Sequence, residues 1–408
     1  MDSISESLKL SGYLIATHLS TLFFLPILSR QYTPNDFAKY AVFNSIVALV
    51  GSLASLRYEQ AVLICSEEEI KEVVTLSAIL SLCTITISSL ISYFLYSFNI
   101  INISCLDFFL IHIGIFFFVS SNIVGIMLTR YQKLNDLGAG KLSQSIFSQI
   151  TKILYFWAGY SEVGLRLGQI STWFPQPLYY FLKVVLKERN LISFNINKLK
   201  TVINRYSNFP KYSIGEIIAS GLTPTLIYIL LEQHIPYEAG LFFMGSLILQ
   251  GGVSTIGEAF AKDFVATASN TDLKAIYALM IKQIVRLFVI GVIPLLGFVA
   301  ISPWVASHFL GPKWVDLPSI LLLLAPAATL QLLVSPISQV ILFIDKQKEG
   351  MFIQIFGFGT RVLPLLLSVM YMKSIALEVV AVGSFIFYLT HMTYLLYLAR
   401  RHTLKLMQ

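Results

Sequence analysis

The sequence predicts an all-α polytopic membrane protein with about 12 transmembrane helices in two pseudo-symmetric six-helix lobes. Of the 408 residues, 56% are hydrophobic and only 12% are charged, and the mean hydropathy is +0.74. Soluble domains carry about 25% charged residues, so this composition excludes a soluble fold. Apolar segments of about 20 residues, long enough to cross a bilayer, recur along the chain.

The apolar segments form two sets on either side of a long polar segment. The first six lie near 10–28, 38–56, 73–96, 107–128, 142–160 and 165–183, and the second six near 211–231, 239–260, 284–303, 320–344, 351–372 and 377–399. The polar segment between the sets is rich in lysine and arginine. We therefore predict an N-terminal lobe at 1–185, a basic cytoplasmic linker at 186–210 and a C-terminal lobe at 211–408.

The distribution of lysine and arginine predicts the orientation of the chain. About 22 of the 29 such residues lie in loops and helix ends on one face, and about five lie on the other. Short loops rich in basic residues stay cytoplasmic. Both termini are therefore predicted to be cytoplasmic, in a multi-pass protein whose loops on the opposite face are short.

Cysteine usage and net charge exclude several other classes of function. The three cysteines, Cys65, Cys83 and Cys105, are far apart and match no disulfide, CxxC or zinc pattern. We therefore expect no metal site, no cofactor and no catalytic residue. The net charge of +7 follows membrane topology, so nucleic acid is not an expected partner.

The two halves resemble each other at three places. After the first and seventh helices the chain reads "RQYTPNDFAKY" and "EQHIPYEAGLF", and near the fourth and tenth it reads "VSSNIVGIMLTRYQK" and "VSPISQVILFIDKQK". In the fifth and eleventh helices "IFSQITKIL" matches "IFGFGTRVL", which pairs Thr151 and Lys152 with Thr360 and Arg361. This pattern predicts a parallel repeat around an axis along the membrane normal.

Lys152 and Arg361 are the principal candidate functional residues. Each lies about ten residues from the predicted start of its helix, which corresponds to about 15 Å, or half of the hydrocarbon core. A basic residue at that depth costs about 2.5–3.5 kcal/mol. One interpretation is that both face a water-filled cavity and bind an anionic substrate; the other is snorkelling, or pairing with an acid on a neighbouring helix.

Other charged residues support weaker hypotheses. Arg57 and Glu59, with Glu216 and Glu258, lie near predicted cytoplasmic helix ends. They are candidates for a gate or for a site that couples transport to a proton or sodium gradient. The alternative interpretation is that they are ordinary interfacial charges.

Several segments resemble the Wzx-type O-antigen flippases, which are polysaccharide transporters of the multidrug/oligosaccharidyl-lipid/polysaccharide exporter superfamily. The matching segments are "PILSRQYTPNDFAKYAVFNSI", "SLRYEQAVL", "NFPKYS" and "FLGPKWVDLPSILLLLAPAATLQLLVSPIS". Their order, spacing and topological placement agree over nearly the whole chain. They are landmarks of topology rather than a catalytic signature.

The resemblance implies a bacterial inner-membrane flippase with two lobes around a central cavity. By alternating access, such a protein moves an undecaprenyl-pyrophosphate-linked O-antigen or polysaccharide repeat unit from the inner to the outer leaflet. The positions here that could line the cavity with positive charge are Lys152, Arg361, Arg57 and Arg30, with Thr151 and Thr360 as neutral neighbours. Membrane lipids are expected partners, and other polysaccharide-assembly membrane proteins are a further hypothesis.

Three alternative functions remain at the level of sequence. A peptidoglycan-precursor flippase resembles this chain in chemistry but is expected to have extra helices beyond the roughly twelve predicted here. A cation-coupled multidrug exporter of the same superfamily is expected to carry acids deep in its lobes, whereas this chain carries bases. A polysaccharide polymerase or ligase is expected to have a large extracytoplasmic loop, whereas the loops predicted on that face have only about ten residues. The latter two observations favour a transporter of an anionic substrate.

Overall fold

A computed structural model describes residues 2–98, 104–131, 133–180, 195–268, 275–344 and 346–407, and every regular element in these ranges is helical. The first half contains α1 (Asp2–Gln31), α2 (Pro34–Leu53), α3 (Ile70–Ser97), α4 (Cys105–Arg130), α5 (Leu134–Trp157), α6 (Ser161–Trp173), α7 (Pro175–Tyr180) and α8 (Ile196–Arg205). The second half contains α9 (Asn208–His234), α10 (Pro236–Ala268), α11 (Ile276–Leu287), α12 (Ile293–Val305), α13 (Leu317–Ile337), α14 (Val340–Phe343), α15 (Gln347–Tyr371) and α16 (Ala376–Met407).

The predicted membrane-spanning segments lie on these helices, and the all-α polytopic fold is confirmed. The described part of the sixth and ninth segments is formed by consecutive helices, and residues 181–183 of the sixth lie outside the described residues. Among the described helices, seven are long and apolar enough to cross a membrane, judged by length and composition alone. Segments such as 142–160 in α5 are not among them because they carry serine, glutamine and lysine.

The helices form two compact units. The first contains residues 1–24 and 40–225, and the second contains residues 25–39 and 226–408. The lobes predicted from sequence divide the chain at the linker, whereas this grouping assigns the turn between α1 and α2 to the second unit. The linker itself is not structureless, since α8 begins and ends within it.

The first unit is organised around α5 and α6, which pack closely along their length, with α4 against α6 and α3 against α4. The amphipathic α8 packs its apolar side, which includes Val202, into a cluster of buried residues from α3, α4 and the segment after α2. That cluster includes Tyr58, Cys65 and Met127. The linker helix is therefore part of the core of the first unit.

The second unit has its densest packing between α10 and α13 and between α15 and α16. Trp314 is fully buried, with its ring 5.2 Å from that of Phe37, whose ring is in turn 6.4 Å from that of Phe243. Its indole Nε1 donates a hydrogen bond of 2.8 Å to the carbonyl of Ser29. The end of α1 and the turn after it are thereby fixed within this unit.

A π-helical turn at Phe288–Val292 joins α11 to α12. Pro294 lies two residues after the end of this turn. Proline has no N–H to donate, and its ring crowds the carbonyl four residues earlier in a regular α-helix. A wider turn accommodates that contact, so the long apolar segment Ile276–Leu310 continues through the proline.

Candidate functional site

Helix α5 has its polar face turned inward. Its buried polar residues are Gln144, Ser145, Ser148, Gln149 and Lys152. At 100° per residue these five positions span a sector of about 140°. The exposed face of the same helix is apolar and consists of Ile146, Phe147, Ile150, Leu154 and Trp157. An apolar outer face is suited to lipid, and the inner face places a polar strip in the core of the first unit.

Lys152 lies at one end of this polar strip and is only 4% exposed. Its Nζ lies 3.4 Å from the hydroxyl of Tyr40 in α2 and 3.4 Å from Oε1 of Gln169 in α6. The ammonium group is also 5.0 Å from the centroid of the Tyr40 ring. The Tyr40 hydroxyl itself donates a hydrogen bond to Gln169 Oε1. Lys152 therefore contacts a polar pair supplied by two neighbouring helices.

Gly168 makes the position of Lys152 possible. A Cβ at Gly168 would lie 2.3 Å from Cγ of Lys152 and 3.1 Å from its backbone nitrogen. The carbonyl of Gly168 accepts a hydrogen bond from Ser148, one turn before Lys152 in α5. The absence of a side chain at Gly168 allows α5 and α6 to approach closely at the buried lysine.

Arg361, in the second unit, is the residue that the sequence repeat pairs with Lys152. It is partly buried, its Nε donates a 2.8 Å hydrogen bond to the Gly357 carbonyl, and its guanidinium lies 4.3 Å from the ring centroid of Phe387. A Cβ at Gly383 in α16 would lie 2.2 Å from the carbonyl oxygen of Thr360. Here too, a glycine of the following helix faces the backbone beside the basic residue.

The depths of the two basic residues differ from the sequence expectation. The helices begin earlier than predicted, at Leu134 and Gln347 rather than near 142 and 351. Lys152 is therefore about 8 Å along the axis from the last residue of α5, and Arg361 is about 15 Å from the last residue of α15. The expectation that each lies ten residues from its helix start was wrong, because polar residues before 142 and 351 also adopt helical structure.

Thr151 and Thr360 both use their hydroxyls within their own helices. Thr151 donates to the Ser148 carbonyl at 2.9 Å, and Thr360 donates to the Gly357 carbonyl at 3.3 Å. Both side chains are partly buried. They lie beside the two basic residues, as the sequence repeat predicts.

Arg57 and Glu59 form a separate group beyond the end of α2. Glu59 is buried, accepts a hydrogen bond from Ser55, and lies 3.7 Å from Arg57. Leu56 and Arg57 both have positive φ angles, 50° and 66°, which are unusual for residues with side chains. The helical part of α2 alone separates Tyr40 from Leu53 by about 20 Å, so this group is not brought together with Lys152.

The remaining predicted site residues lie elsewhere. Arg30 is exposed at the end of α1 in the second unit and donates to the His308 carbonyl at 3.1 Å. Glu216 and Glu258 fall in α9 and α10, but their side chains lie outside the described residues. Across the part of the chain that the structure describes, no group of acidic, histidine and cysteine side chains is arranged to hold a metal ion.

Sequence reasoning missed the surroundings of Lys152. Gln144 and Gln149 were available as a signal, because "SQSIFSQITK" places polar residues at i, i+1, i+4 and i+5 in an apolar segment. Tyr40 and Gln169 gave no comparable signal, since each comes from a different helix. The ion pair of the buried Arg166 with Asp107 joins α6 to α4 and was likewise not anticipated.

Comparisons with known proteins identify the fold. No family model matches the sequence, and no curated protein does. A multidrug resistance MATE family transporter of the MOP superfamily, solved in an inward-facing conformation, is 15% identical over 96% of this chain and 94% of its own, with a TM-score of 0.68. The lipid II flippase MurJ, in an inward closed conformation, is 13% identical over 96% and 87%, with a TM-score of 0.72.

A third solved structure is similar over an equally large share of the chain. It is a MOP superfamily transporter from Pyrococcus furiosus, described as having a binding pocket of reverse polarity. It is 14% identical over 99% of this chain and 96% of its own, with a TM-score of 0.54. At these identities the likeness shows that this chain has the fold of these membrane transporters.

Proposed function

We propose that this chain is a flippase for undecaprenyl-pyrophosphate-linked O-antigen or polysaccharide repeat units. One observation carries the proposal: the two pseudo-equivalent helices α5 and α15 each hold a basic residue, Lys152 or Arg361, inside the helical part of a membrane unit. Such charges are costly inside a membrane protein, so a functional role is the default explanation for them. An anionic head group is the substrate that two basic residues suit.

The chemistry of the substrate explains why a protein is needed. A pyrophosphate with several sugars cannot cross hydrocarbon unaided, because each unpaired polar group costs several kcal/mol there. Lys152 and Arg361 would neutralise the pyrophosphate while the lipid tail stays in the bilayer. In the alternating-access mechanism that we propose, the two units then expose the head group to the other leaflet.

Arg361 is the more accessible of the two basic residues. Its Nε is engaged by Gly357, and its terminal nitrogens have the fork geometry that binds phosphate oxygens in pairs. Lys152 is nearly fully buried beneath Tyr40 and Gln169, so contact with a pyrophosphate requires these two side chains to move. We assign Thr151, Thr360, Arg57 and Arg30 supporting roles along the same route.

The proposal includes location and energy source. We propose that the protein lies in the bacterial inner membrane with both termini cytoplasmic, as the distribution of basic residues indicates. We also propose that a proton or sodium gradient drives net transport, and that Glu59, Glu216 and Glu258 act in gating or coupling. Other polysaccharide-assembly membrane proteins are proposed partners.

Complementation tests the proposal directly. The wild type, Lys152→Ala, Arg361→Ala and the double variant would be expressed in a bacterium that lacks its own O-antigen flippase, and surface polysaccharide would be measured per amount of protein in the membrane. Lys141→Ala on α5 and Arg400→Ala on α16 are matched controls, since both residues are exposed. We expect the wild type and controls to restore polysaccharide and the three site variants to fail at normal abundance.

Other results would favour a different function. If the site variants restore polysaccharide as well as the wild type, the two basic residues do not serve the substrate. If the wild type fails with every available repeat unit, but its expression lowers accumulation of an organic cation, the multidrug exporter replaces the flippase. In vitro polymerisation or ligation of repeat units by the purified chain would instead establish an enzyme.

A further inference from the structure

The inward polar face of α5 contains more polar groups than one lysine requires. Gln149 is 5% exposed, and its Oε1 has no hydrogen-bond partner among the described residues. Nε2 of Gln176 in α7 is also buried without a partner there. Buried amide groups in native proteins are almost always satisfied, and where no protein group does so, ordered water does. The polar face therefore has the chemistry of a hydrated path.

Polar groups from three other helices, α1, α4 and α7, extend this face. Near the start of the path, Gln144 Nε2 donates to Gln176 Oε1 at 2.9 Å, and Ser121 of α4 donates to the same oxygen at 3.1 Å. One position along, the Ser145 hydroxyl lies 2.8 Å from that of Ser20 in α1. These contacts form a hydrogen-bonded group at the end of the path opposite Lys152.

The path continues by single helical turns to Lys152. Ser148 and Gln149 follow Ser145 by three and four positions, and Lys152 follows Ser148 by four. Residues at such spacings have Cβ atoms about 5–6 Å apart, a gap that one water molecule can bridge by hydrogen bonds. The path begins next to Ser143, which is exposed, so it leads from the surface of the first unit to the buried amine.

We propose that this inward face of α5 carries protons to and from Lys152, so that proton movement switches the charge of the lysine. This inference rests on the proposed function, because the lysine whose charge changes is the one proposed there to bind the pyrophosphate. Proton uptake gives the lysine the positive charge that binds the anion. Proton loss removes that charge and releases the anion, which permits turnover.

The proton balance of the step is simple. The lone pair of the neutral Nζ accepts one proton from a bridging water of the path, so one N–H bond forms and one O–H bond breaks. The path regains a proton from water at its Ser143 end. On release the same N–H bond breaks, and the proton returns to water. Serine and glutamine serve as neutral relays with water, and the chain's net charge changes by one.

The groups that face Lys152 are suited to both of its charge states. Tyr40 of α2 and Gln169 of α6 each offer an oxygen to the ammonium form. Tyr40 can also donate its hydroxyl proton to a neutral amine. On α6, the buried Arg166 pairs with Asp107 of α4 and also donates to the Glu162 carbonyl. Lysine can lose its proton in a buried setting, whereas arginine remains charged.

Lys152→Arg tests whether transport requires the charge at this position to be removed during turnover. The variant keeps a positive charge that cannot be released, so we expect it to bind the anion and fail to turn over. In the complementation assay it should restore less than a tenth of wild-type surface polysaccharide at normal abundance, with Lys141→Arg as the control. Full restoration by Lys152→Arg would overturn the proton switch while leaving the flippase function intact.

Binding measurements distinguish a loss of turnover from misfolding of the variant. The purified full chain would be titrated with undecaprenyl pyrophosphate at several pH values. We expect wild-type affinity to fall with rising pH, by up to tenfold per pH unit for one proton, more steeply than the affinity of Lys152→Arg, which reports the titration of the ligand alone. Equal slopes for both proteins would overturn the proposal; failure of both to bind would overturn the proposed function instead.

Gln149→Leu tests the path without changing the charged site. Leucine fills a similar volume and removes the amide, so we expect undecaprenyl pyrophosphate binding to be unchanged and surface polysaccharide to fall at least fivefold. Lys141→Ala, at an exposed position of α5 outside the path, should have no effect. If Gln149→Leu supports wild-type polysaccharide at equal abundance, protons do not travel along this face and the proposal is wrong.

Discussion

Gly168 lies directly against Lys152, with no room between them for even a methyl group. A Cβ there would lie 2.3 Å from Lys152 Cγ, whereas a Cβ at Gly383 in the other unit would lie 2.2 Å from the carbonyl oxygen of Thr360. In each unit, a glycine of one helix thus faces the basic residue, or the residue before it, of the preceding membrane helix. The internal repeat seen in the sequence therefore extends to helix packing.

The two glycines should respond differently to substitution, because a methyl group at each would clash with a different kind of atom. Gly383→Ala places a methyl group against backbone, which cannot move without separating α15 from α16. We expect the free energy of unfolding to fall by an amount typical of overpacking, about 1–3 kcal/mol or more, and the midpoint of thermal unfolding to fall with it. The methyl group of Gly168→Ala would clash mainly with the flexible side chain of Lys152, so this variant should lose less stability. It should, however, displace Lys152 and lower flippase activity.

Gly359→Ala and Gly140→Ala are the matched controls for these variants. Both glycines lie in the basic-residue helices, and a Cβ at either would meet no atom within 4 Å. Alanine favours helix over glycine by about 1 kcal/mol, so these variants should keep or raise the unfolding midpoint. Thermal unfolding of the purified protein measures all four, and an equal loss in controls and site variants would contradict the steric argument.

Tyr40→Phe should weaken the surroundings of Lys152 while keeping the aromatic ring. The change removes the hydroxyl that donates to Gln169 and lies 3.4 Å from Lys152 Nζ. Gln169 Oε1 then keeps only its longer contact with Lys152 Nζ, and a lost hydrogen bond typically costs about 0.5–1.5 kcal/mol, so we expect a lower free energy of unfolding and reduced transport. Tyr96→Phe, at an exposed tyrosine, is the control. Equal unfolding free energies for the two variants would show that the buried hydroxyl contributes nothing.

The sequence predicts the membrane helices well because their signal is local. A run of about 20 apolar residues shows its length and composition without reference to any other segment. The same reasoning identified Lys152 and Arg361, since a charge interrupts such a run visibly. It placed the start of α5 eight residues late, because the polar stretch after Leu134 carries no apolar signal although it continues the helix.

The partners of the site residues could not be predicted in the same way. Tyr40 and Gln169 are separated by 129 positions, and only the packing of α2 against α6 near Lys152 brings them together. Arg57 and Arg30 were grouped with Lys152 by charge alone, yet one lies beyond the end of α2 and the other at the end of α1. The sequence shows which residues are charged, whereas the direction of a side chain and its distance from other side chains depend on tertiary contacts.

Glu69 should hold the linker helix α8 on the first unit. Its carboxylate accepts hydrogen bonds from Tyr206 and Arg205, both at 2.8 Å, and from Ser66 at 3.1 Å. We expect Glu69→Gln to loosen this contact and expose Cys65, which is buried in the cluster that α8 covers. Thiol labelling in a Cys83→Ser, Cys105→Ser background should become several-fold faster, as expected for the loss of about 1–3 kcal/mol.

The neighbouring Glu68 supplies the control for this variant. It lies in the same 3₁₀ turn, Glu67–Glu69, and is exposed. Glu68→Gln should leave the labelling rate of Cys65 unchanged. If both variants label at the wild-type rate, the apolar contacts of Val202 and Tyr206 hold α8 without help from the carboxylate.

The same contact should weaken in acid. The hydrogen bond from Tyr206, with smaller contributions from Ser66 and Arg205, lowers the pKa of Glu69. A group whose folded pKa is lowered contributes its full stability above its ordinary pKa, about 4.3 for glutamate, and loses it as the pH falls through the lowered folded value. Labelling of Cys65 with a dithiodipyridine, which reacts in acid, should accelerate below about pH 4 in the wild type but not in Glu69→Gln.

Trp314 should be the most costly tryptophan to replace, because its ring is fully buried and its Nε1 donates to the Ser29 carbonyl. Trp314→Ala removes the ring from a packed site, and such changes typically cost about 3–5 kcal/mol. Trp314→Phe keeps an aromatic ring but leaves the Ser29 carbonyl without this donor, so a smaller loss of about 1–3 kcal/mol is expected. Trp304 is the control, since its ring is 56% exposed, and Trp304→Ala should shift the midpoint of thermal unfolding far less. If Trp304→Ala and Trp314→Ala lower that midpoint equally, the turn between α1 and α2 is not fixed in the second unit by Trp314, and the contact with Ser29 contributes little to its stability.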